Sequence, residues 1–248
     1  MLLLFIALIG ILQAAPAISS SSLKLRYFDA RGAAELGRVI MKIGSLDFHD
    51  DRFPMRIKPE GGFEVSEFSE AKAAGAFRVN MDRLPILEVG DSGLQIGQSR
   101  AIERYISSRC GLLGRSAEES ALVDCVAENV RDIKDRWARI RSAGGFAPNS
   151  EKDTLTERWF NGGELADWLD KLEKSLPSNC VWAAGDQMSY ADICIWQLLR
   201  DFFPLIHRQD VRQAEKKAGC GRLSRIADRV GDVEGLKSYL EHRPSTPF

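Results

Sequence analysis

The sequence predicts a small mixed α/β domain followed by an all-helical one, and three observations predict it. Short segments of strand character alternate with helical spacing up to about residue 113. After Gly114 the apolar period becomes 3.6 and stays there. The chain has 248 residues, 44% hydrophobic and 28% charged, which suits two modest domains rather than a disordered or fibrous protein.

From Leu23 the segment LKLRYF alternates as a strand does, and Arg31 to Gly44 then carries Ala34, Leu36, Val39, Ile40 and Ile43 at helical spacing. FHDDRF, from Phe48 to Phe53, is a second strand, and Glu64 to Ala74 a second helix. LPILEV, from Leu84 to Val89, and Leu94 to Ile96 are two further strands, with Gly90-Asp91-Ser92-Gly93 as the turn between them. Gln98 to Arg109 closes the domain as a helix with Ile102, Tyr105 and Ile106 on one face. The predicted order is β-α-β-α-β-β-α.

Beyond Gly114, Leu122, Val126, Val130, Ile133, Trp137 and Ile140 fall at steps of four and three, which predicts one long amphipathic helix. A second helix carries Leu155, Trp159, Leu165, Trp168, Leu169 and Leu172, and Pro177-Ser178-Asn179 ends it. A third begins at Ser189, where Ser-Tyr-Ala-Asp forms a capping box and Met188 can staple onto Ile193.

Composition narrows the partners. With 34 basic and 35 acidic residues the formal charge is -1, so no long-range field concentrates nucleic acid or an anionic membrane at the surface. The five cysteines form no C-x-x-C pair and no metal-ligand spacing with the three histidines, so no metal is expected and buried small hydrophobes are the natural reading of these thiols. Residues 1–22 hold a continuous apolar run from Leu2 to Leu12 and an A-x-A-like site at Ala15-Pro16-Ala17. They are expected to be a cleavable leader to a secreted, endomembrane or organelle destination, leaving no membrane span after cleavage. A buried N-terminal helix or an uncleaved anchor, with a cytoplasmic location, is the alternative.

Residue identity then takes over from pattern. Tyr27-Phe28-Asp29-Ala30-Arg31-Gly32-Ala33-Ala34-Glu35, with Arg38 after it, resembles the first strand and helix of the tyrosine-type glutathione transferases, the sigma-like class above all. Leu84-Pro85-Ile86-Leu87-Glu88-Val89 resembles that family's strand with its cis-proline, and Gln98-Ser99-Arg100-Ala101-Ile102-Glu103-Arg104-Tyr105 its glutathione-gripping helix. Ser189-Tyr190-Ala191-Asp192-Ile193 and the ending Arg243-Pro244-Ser245-Thr246-Pro247 complete a resemblance that covers everything after the leader. It implies a thioredoxin-like, glutathione-binding domain at 23–113 and an all-α domain at 114–248.

The resemblance also implies the chemistry. Glutathione reacts as a thiolate, yet a free thiol with a pKa of about 8.5 is only slightly ionised at neutral pH. A tyrosine hydroxyl, with an ordinary pKa near 10, stays protonated and donates a hydrogen bond to sulfur. Bringing the thiol to a pKa of about 6.5 takes roughly 2.7 kcal/mol, within reach of one charge-assisted bond plus local dipoles. Tyr27 is the expected donor; otherwise it is an inward-facing strand tyrosine.

Leu84 before a cis Pro85 would offer N–H and C=O to the cysteinyl unit; read without the resemblance, Pro85 is a trans proline starting a strand. Gln98 and Ser99, at a strand-to-helix junction, would hold the γ-glutamyl carboxylate, and Ser99 serves equally as an ordinary N-cap. Asp132 would meet the γ-glutamyl amine of a partner subunit, making the enzyme a homodimer, or else lies on a solvated helix face. Phe68, Lys72 and Arg83 match the grip on the glycyl end, or are surface packing.

Two departures stand out. The family's arginine two positions beyond Arg31 is Ala33, which removes a cation near the tyrosine; Arg31 either compensates or pairs with Glu35. The stretch from Ala73 to Asp82 is longer than the corresponding family loop. The expected activity is conjugation of glutathione, as co-substrate, to small hydrophobic electrophiles held near Ala30, Trp137 or Ile140. A prostaglandin-type isomerase and a non-catalytic ligand carrier on the same fold are the alternatives.

Overall fold

A computed structural model describes residues 22–59, 61–143 and 150–246. The leader predicted at 1–22 lies, but for Ser22, outside the described residues. Strand β1 (Leu23–Phe28) leads into a 3₁₀ turn and helix α1 (Glu35–Ile43), followed by β2 (Phe48–Phe53). A short hairpin, β3 (Arg56–Ile57) with β4 (Phe63–Glu64), was not expected; its strands are two residues each, too brief for a period to register. Helix α2 (Ser66–Ala73), β5 (Ile86–Val89), β6 (Leu94–Gly97) and α3 (Ser99–Arg109) complete the first half in the predicted order. The four-stranded sheet runs β2-β1-β5-β6, with β1 parallel to β2 and the other pairs antiparallel.

Strand alternation divides β1 between two cores. Leu23 and Leu25 join Val39, Ile40, Ile102 and Ile106 of α1 and α3 in the main core. Phe28 turns the other way, into a smaller cluster with Phe53, Phe68, Phe77 and Ile86.

The helical half begins with α4 (Ala117–Ser142), capped by Ser116, whose side chain accepts the Glu119 N–H. Its buried stripe is Val123, Val126, Val130, Ile133, Trp137 and Ile140; Leu122, predicted on this face, is instead 42% exposed. Starting from Val123 the stripe keeps strict steps of three and four, and Leu122 falls a residue outside it. The second predicted helix is two, α5 (Ser150–Phe160) and α6 (Glu164–Ser175). The break is at Gly163, whose φ of 96° no continuous helix admits.

Helix α7 (Tyr190–Trp196) starts at the predicted capping box. Asp192 is fully buried and accepts from the Ala183 N–H at 2.7 Å, the Ser189 N–H at 2.8 Å and the Ser189 hydroxyl at 2.7 Å. The chain continues as a π-helical turn, Gln197–Phe202, and then α8 (Arg208–Ala218), α9 (Gly221–Gly231) and α10 (Glu234–His242), the last packing on α1. All five cysteines are free; Cys194 and Cys220 are buried as expected, but Cys125 is exposed and Cys110 and Cys180 are half-buried. Among the described residues no helix is long and apolar enough to cross a membrane, and no cluster could hold a metal ion.

Candidate active site

Tyr27 lies near the end of β1, on the face that carries Leu23 and Leu25, with its ring packed partly into the main core. Its hydroxyl oxygen accepts the Ala33 backbone N–H at 3.1 Å. That bond occupies a lone pair and leaves the hydroxyl proton free to donate elsewhere. The loop passes this close because position 32 is glycine: its φ is 42°, and a Cβ there would stand 2.5 Å from the Tyr27 oxygen.

Arg38 holds the loop from beneath. Completely buried in α1, it donates from Nη1 to the Ala30 carbonyl at 2.8 Å and the Arg31 carbonyl at 3.3 Å, and from Nε to both oxygens of Asp50 at 3.1 Å. Its guanidinium carbon stands 5.8 Å from the Tyr27 ring centre, a cation beside the aromatic ring although Ala33 supplies none.

The expected Arg31–Glu35 pair does not form. Glu35 opens α1 whereas Arg31 precedes the 3₁₀ turn, so the two do not share one continuous helix face. Arg31 instead reaches Asp201 at 3.3 Å, and the buried Glu35 takes Arg243 at 2.7 Å, Arg38 at 3.4 Å and the Tyr239 hydroxyl at 3.1 Å. Burial and the Glu35 carboxylate together push the Tyr239 phenol up.

The Leu84–Pro85 bond is cis, as the resemblance implies and against the trans reading. Asn80, which the sequence reading passed over, ties this bend to the start of α3. It is 3% exposed; Nδ2 donates to the carbonyls of Arg83 at 3.1 Å and Pro85 at 3.0 Å, while Oδ1 accepts the Gln98 N–H at 3.2 Å. Gly97 leaves it room, since a Cβ there would lie 2.6 Å from the Asn80 side chain. The stretch between Ala73 and Asp82 brings in Asn80 and the buried Phe77. The only local signal was an amide in an otherwise unassigned loop.

Gln98 has φ 67° and ψ 119° and precedes α3, and its own N–H is taken by Asn80. Ser99 is the first helical residue and not the N-cap, so the capping alternative falls; no side chain caps α3. Phe68 stacks on Phe77 at 5.2 Å and meets Phe28 edge-on at 5.0 Å, which explains an aromatic residue on a helix that buries nothing completely. Lys72, one turn further on, is exposed, as is Arg83, which leans on the Asn80 carbonyl at 3.5 Å. Asp132 is exposed on α4 and lines neither cavity described below.

Two cavities open beside the tyrosine loop, sharing Gly32, Ala33, Gln197 and Phe202. One, of about 210 Å³, runs between α1, α3, α4 and α7 and includes Ser99, Glu103 and Tyr190. The other, of about 510 Å³, includes Arg31, Arg141, Asp201 and Pro204. Neither includes Ala30, Trp137 or Ile140. Those three are at most 4% exposed, and Trp137 is enclosed by Trp159, Phe160, Phe203 and His207. The long helix turns most of its apolar stripe to the core, so the walls combine Val130 of that stripe with residues from its flank, such as Arg131, Lys134 and Arg141, and with the π-helical turn.

Glu103 is the unexpected member of the smaller cavity. It is 5% exposed and accepts the Tyr190 hydroxyl at 2.6 Å. Burial raises its carboxyl to about 7, against the Tyr190 hydrogen bond and the positive charges of Lys134 and Arg100. Burial likewise lowers the Lys134 ammonium, which donates to Gln197 at 2.6 Å, and raises the Cys194 thiol to about 12.

Comparison with known proteins bears on this arrangement. Residues 132–243 match the family model described as glutathione S-transferase, C-terminal domain. Glutathione S-transferase 4 of Caenorhabditis elegans is 33% identical over 227 residues, 89% of this chain and 96% of that protein. S-crystallin SL11 of Nototodarus sloanii is 25% identical over 92% of this chain and 99% of its own length. Among solved structures, a monomeric glutathione S-transferase from the hookworm Necator americanus superposes with a TM-score of 0.70 at 26% identity, covering 92% of this chain and 100% of that one.

Proposed function

The chain belongs to the glutathione S-transferase family, and from that premise we propose that it conjugates the glutathione thiolate to small hydrophobic electrophiles, with the Tyr27 hydroxyl as donor to sulfur. The observation that carries this reading is the Ala33 N–H on the Tyr27 oxygen at 3.1 Å. It orients the phenol so that its one proton points away from the loop, and it polarises the O–H bond much as a neighbouring cation would. The loop with Ala33 therefore still has a positive dipole at the oxygen.

In this reading the extended tripeptide lies along Leu84, whose backbone pairs with the cysteinyl unit. Its γ-glutamyl carboxylate meets Ser99 and the positive end of the eleven-residue helix α3. Lys72 and Arg83 face the glycyl carboxylate from α2 and the bend, and Phe68 supplies an apolar wall beside them. Asp132 of a second copy completes the γ-glutamyl site by charge, so the working unit is a homodimer. The electrophile occupies the larger cavity against Phe202 and Pro204.

Conjugation of glutathione to a chlorodinitrobenzene, with the bound thiolate titrated by its absorbance, tests the assignment. Tyr27→Phe is expected to lower kcat/KM roughly a hundredfold, as loss of one preorganised donor to a developing anion does, and to raise the bound thiol pKa. A parent that binds glutathione without turnover, and a phenylalanine variant that behaves identically, would establish a ligand carrier instead.

A further inference from the structure

Charge around the larger cavity points to a narrower class of electrophile. The two carboxylates in its wall are both satisfied from within the protein. Glu35 is held by Arg243 and Arg38, and Asp201 by Arg243 at 2.6 Å and Arg31 at 3.3 Å. Arg38 is shared in turn with Asp50, whose other cation, Arg52, also meets Asp29. Each of these guanidiniums therefore faces at least one carboxylate.

Arg141, in the last turn of α4, differs. It lines the same cavity, is exposed, and pairs with no carboxylate among the described residues. Sequence offers it no near neighbour of opposite charge, since Asp135 and Glu151 are the flanking acidic residues and 144–149 carry no charge at all. A cation at a helix C-terminus is favourable by itself, but Arg139 on the preceding residues of the same turn already serves that end without lining the cavity.

The geometry points to an acceptor that carries a carboxylate: an aromatic or apolar body against Phe202 and Pro204, its electrophilic carbon toward Tyr27 and its acid group on Arg141. This rests on the transferase reading above and makes Arg141 a specificity-determining residue. A guanidinium suits the role because it presents paired N–H donors to both oxygens of a carboxylate.

The test is the rate of glutathione conjugation to a chloronitrobenzoate and to its methyl ester, each normalised to its uncatalysed reaction. Arg141→Gln is expected to lower kcat/KM for the acid about three- to fivefold, the range of a solvent-exposed ion pair, while leaving the ester unchanged. Arg141→Glu should reverse the preference, Arg139→Gln should do nothing, and added salt should erode the parent's preference for the acid. Equal losses for acid and ester, or none for either, would overturn the inference. If neither compound is conjugated, the transferase reading fails and binding decides: equilibrium dialysis of the chloronitrobenzoate supports the site if Arg141→Gln weakens it and overturns it if the two proteins bind alike.

Discussion

Replacing Glu103 by Gln removes a carboxyl whose proton is held by burial between α3 and α7. In the folded chain this group titrates at about 7, against 4.5 for the ordinary side chain. Between those values the native state keeps a proton that the unfolded chain has lost, so stability is full below the lower value and falls as pH rises through the upper one. The difference amounts to about 3 kcal/mol at pH 8, with the attraction of Lys134 for the ionised form already contained in it. Gln keeps a carbonyl oxygen for the Tyr190 hydroxyl and does not titrate. The measurement is the urea midpoint of parent and variant at half-unit steps from pH 4 to 8.5. The variant is expected to be similar to the parent in acid and more stable than it above neutrality, with the gap opening across the window and levelling past its upper end. Two profiles that run parallel from acid to alkali would show that Glu103 is as solvated as a surface carboxylate and that the α3–α7 seam is wet.

Other substitutions separate the layers of the site. Gly32→Ala places a methyl group where the Tyr27 hydroxyl stands and forces a left-handed φ on alanine; kcat/KM should fall about tenfold with a raised bound-thiol pKa, and an unchanged pKa would mean the loop relaxes freely. Asn80→Ala frees the Gln98 N–H and two carbonyls at the bend, so the glutathione Kd by calorimetry should rise about tenfold with kcat less affected; an unaltered Kd would make Asn80 purely a folding residue. Asp192→Ala strands the Ala183 and Ser189 N–H groups inside the helical core, and a loss of about 2–5 kcal/mol in denaturant unfolding is expected, against a few tenths if water reaches them.

How far each feature was legible follows from the range over which its cause acts. Strands, helices and the capping box of α7 rest on spacings of two to four residues, so the chain states them directly: β2, α3 and the pair Ser189 and Asp192 lie where the periodicity puts them. Tyr27, Pro85, Gln98 and Ser99 were recognisable by their motifs; Ser99 lines one cleft with Ala33, whose N–H the Tyr27 hydroxyl accepts. The division of the second helix was legible in the turn-forming run Asn161-Gly162-Gly163 and in the step of six from Trp159 to Leu165, which departs from helical spacing; the apolar residues on either side masked it.

Only the tertiary structure decided the rest. Asn80 meets Gln98 across eighteen residues, Glu103 meets Tyr190 across eighty-seven, and Arg243 meets Glu35 across two hundred and eight. None has a local signature, because a lone amide or carboxyl in sequence looks the same whether it faces water or a buried partner. The same holds for the larger cavity: Trp137 and Ile140 sit on the stripe the sequence shows, and the packing of that stripe into the core, with Trp137 against Trp159, Phe160 and Phe203, leaves Arg141 to line the open space. Pattern along the chain determined the elements, and a motif pointed to Tyr27; burial, which depends on what comes to lie on each face, determined the charges around them.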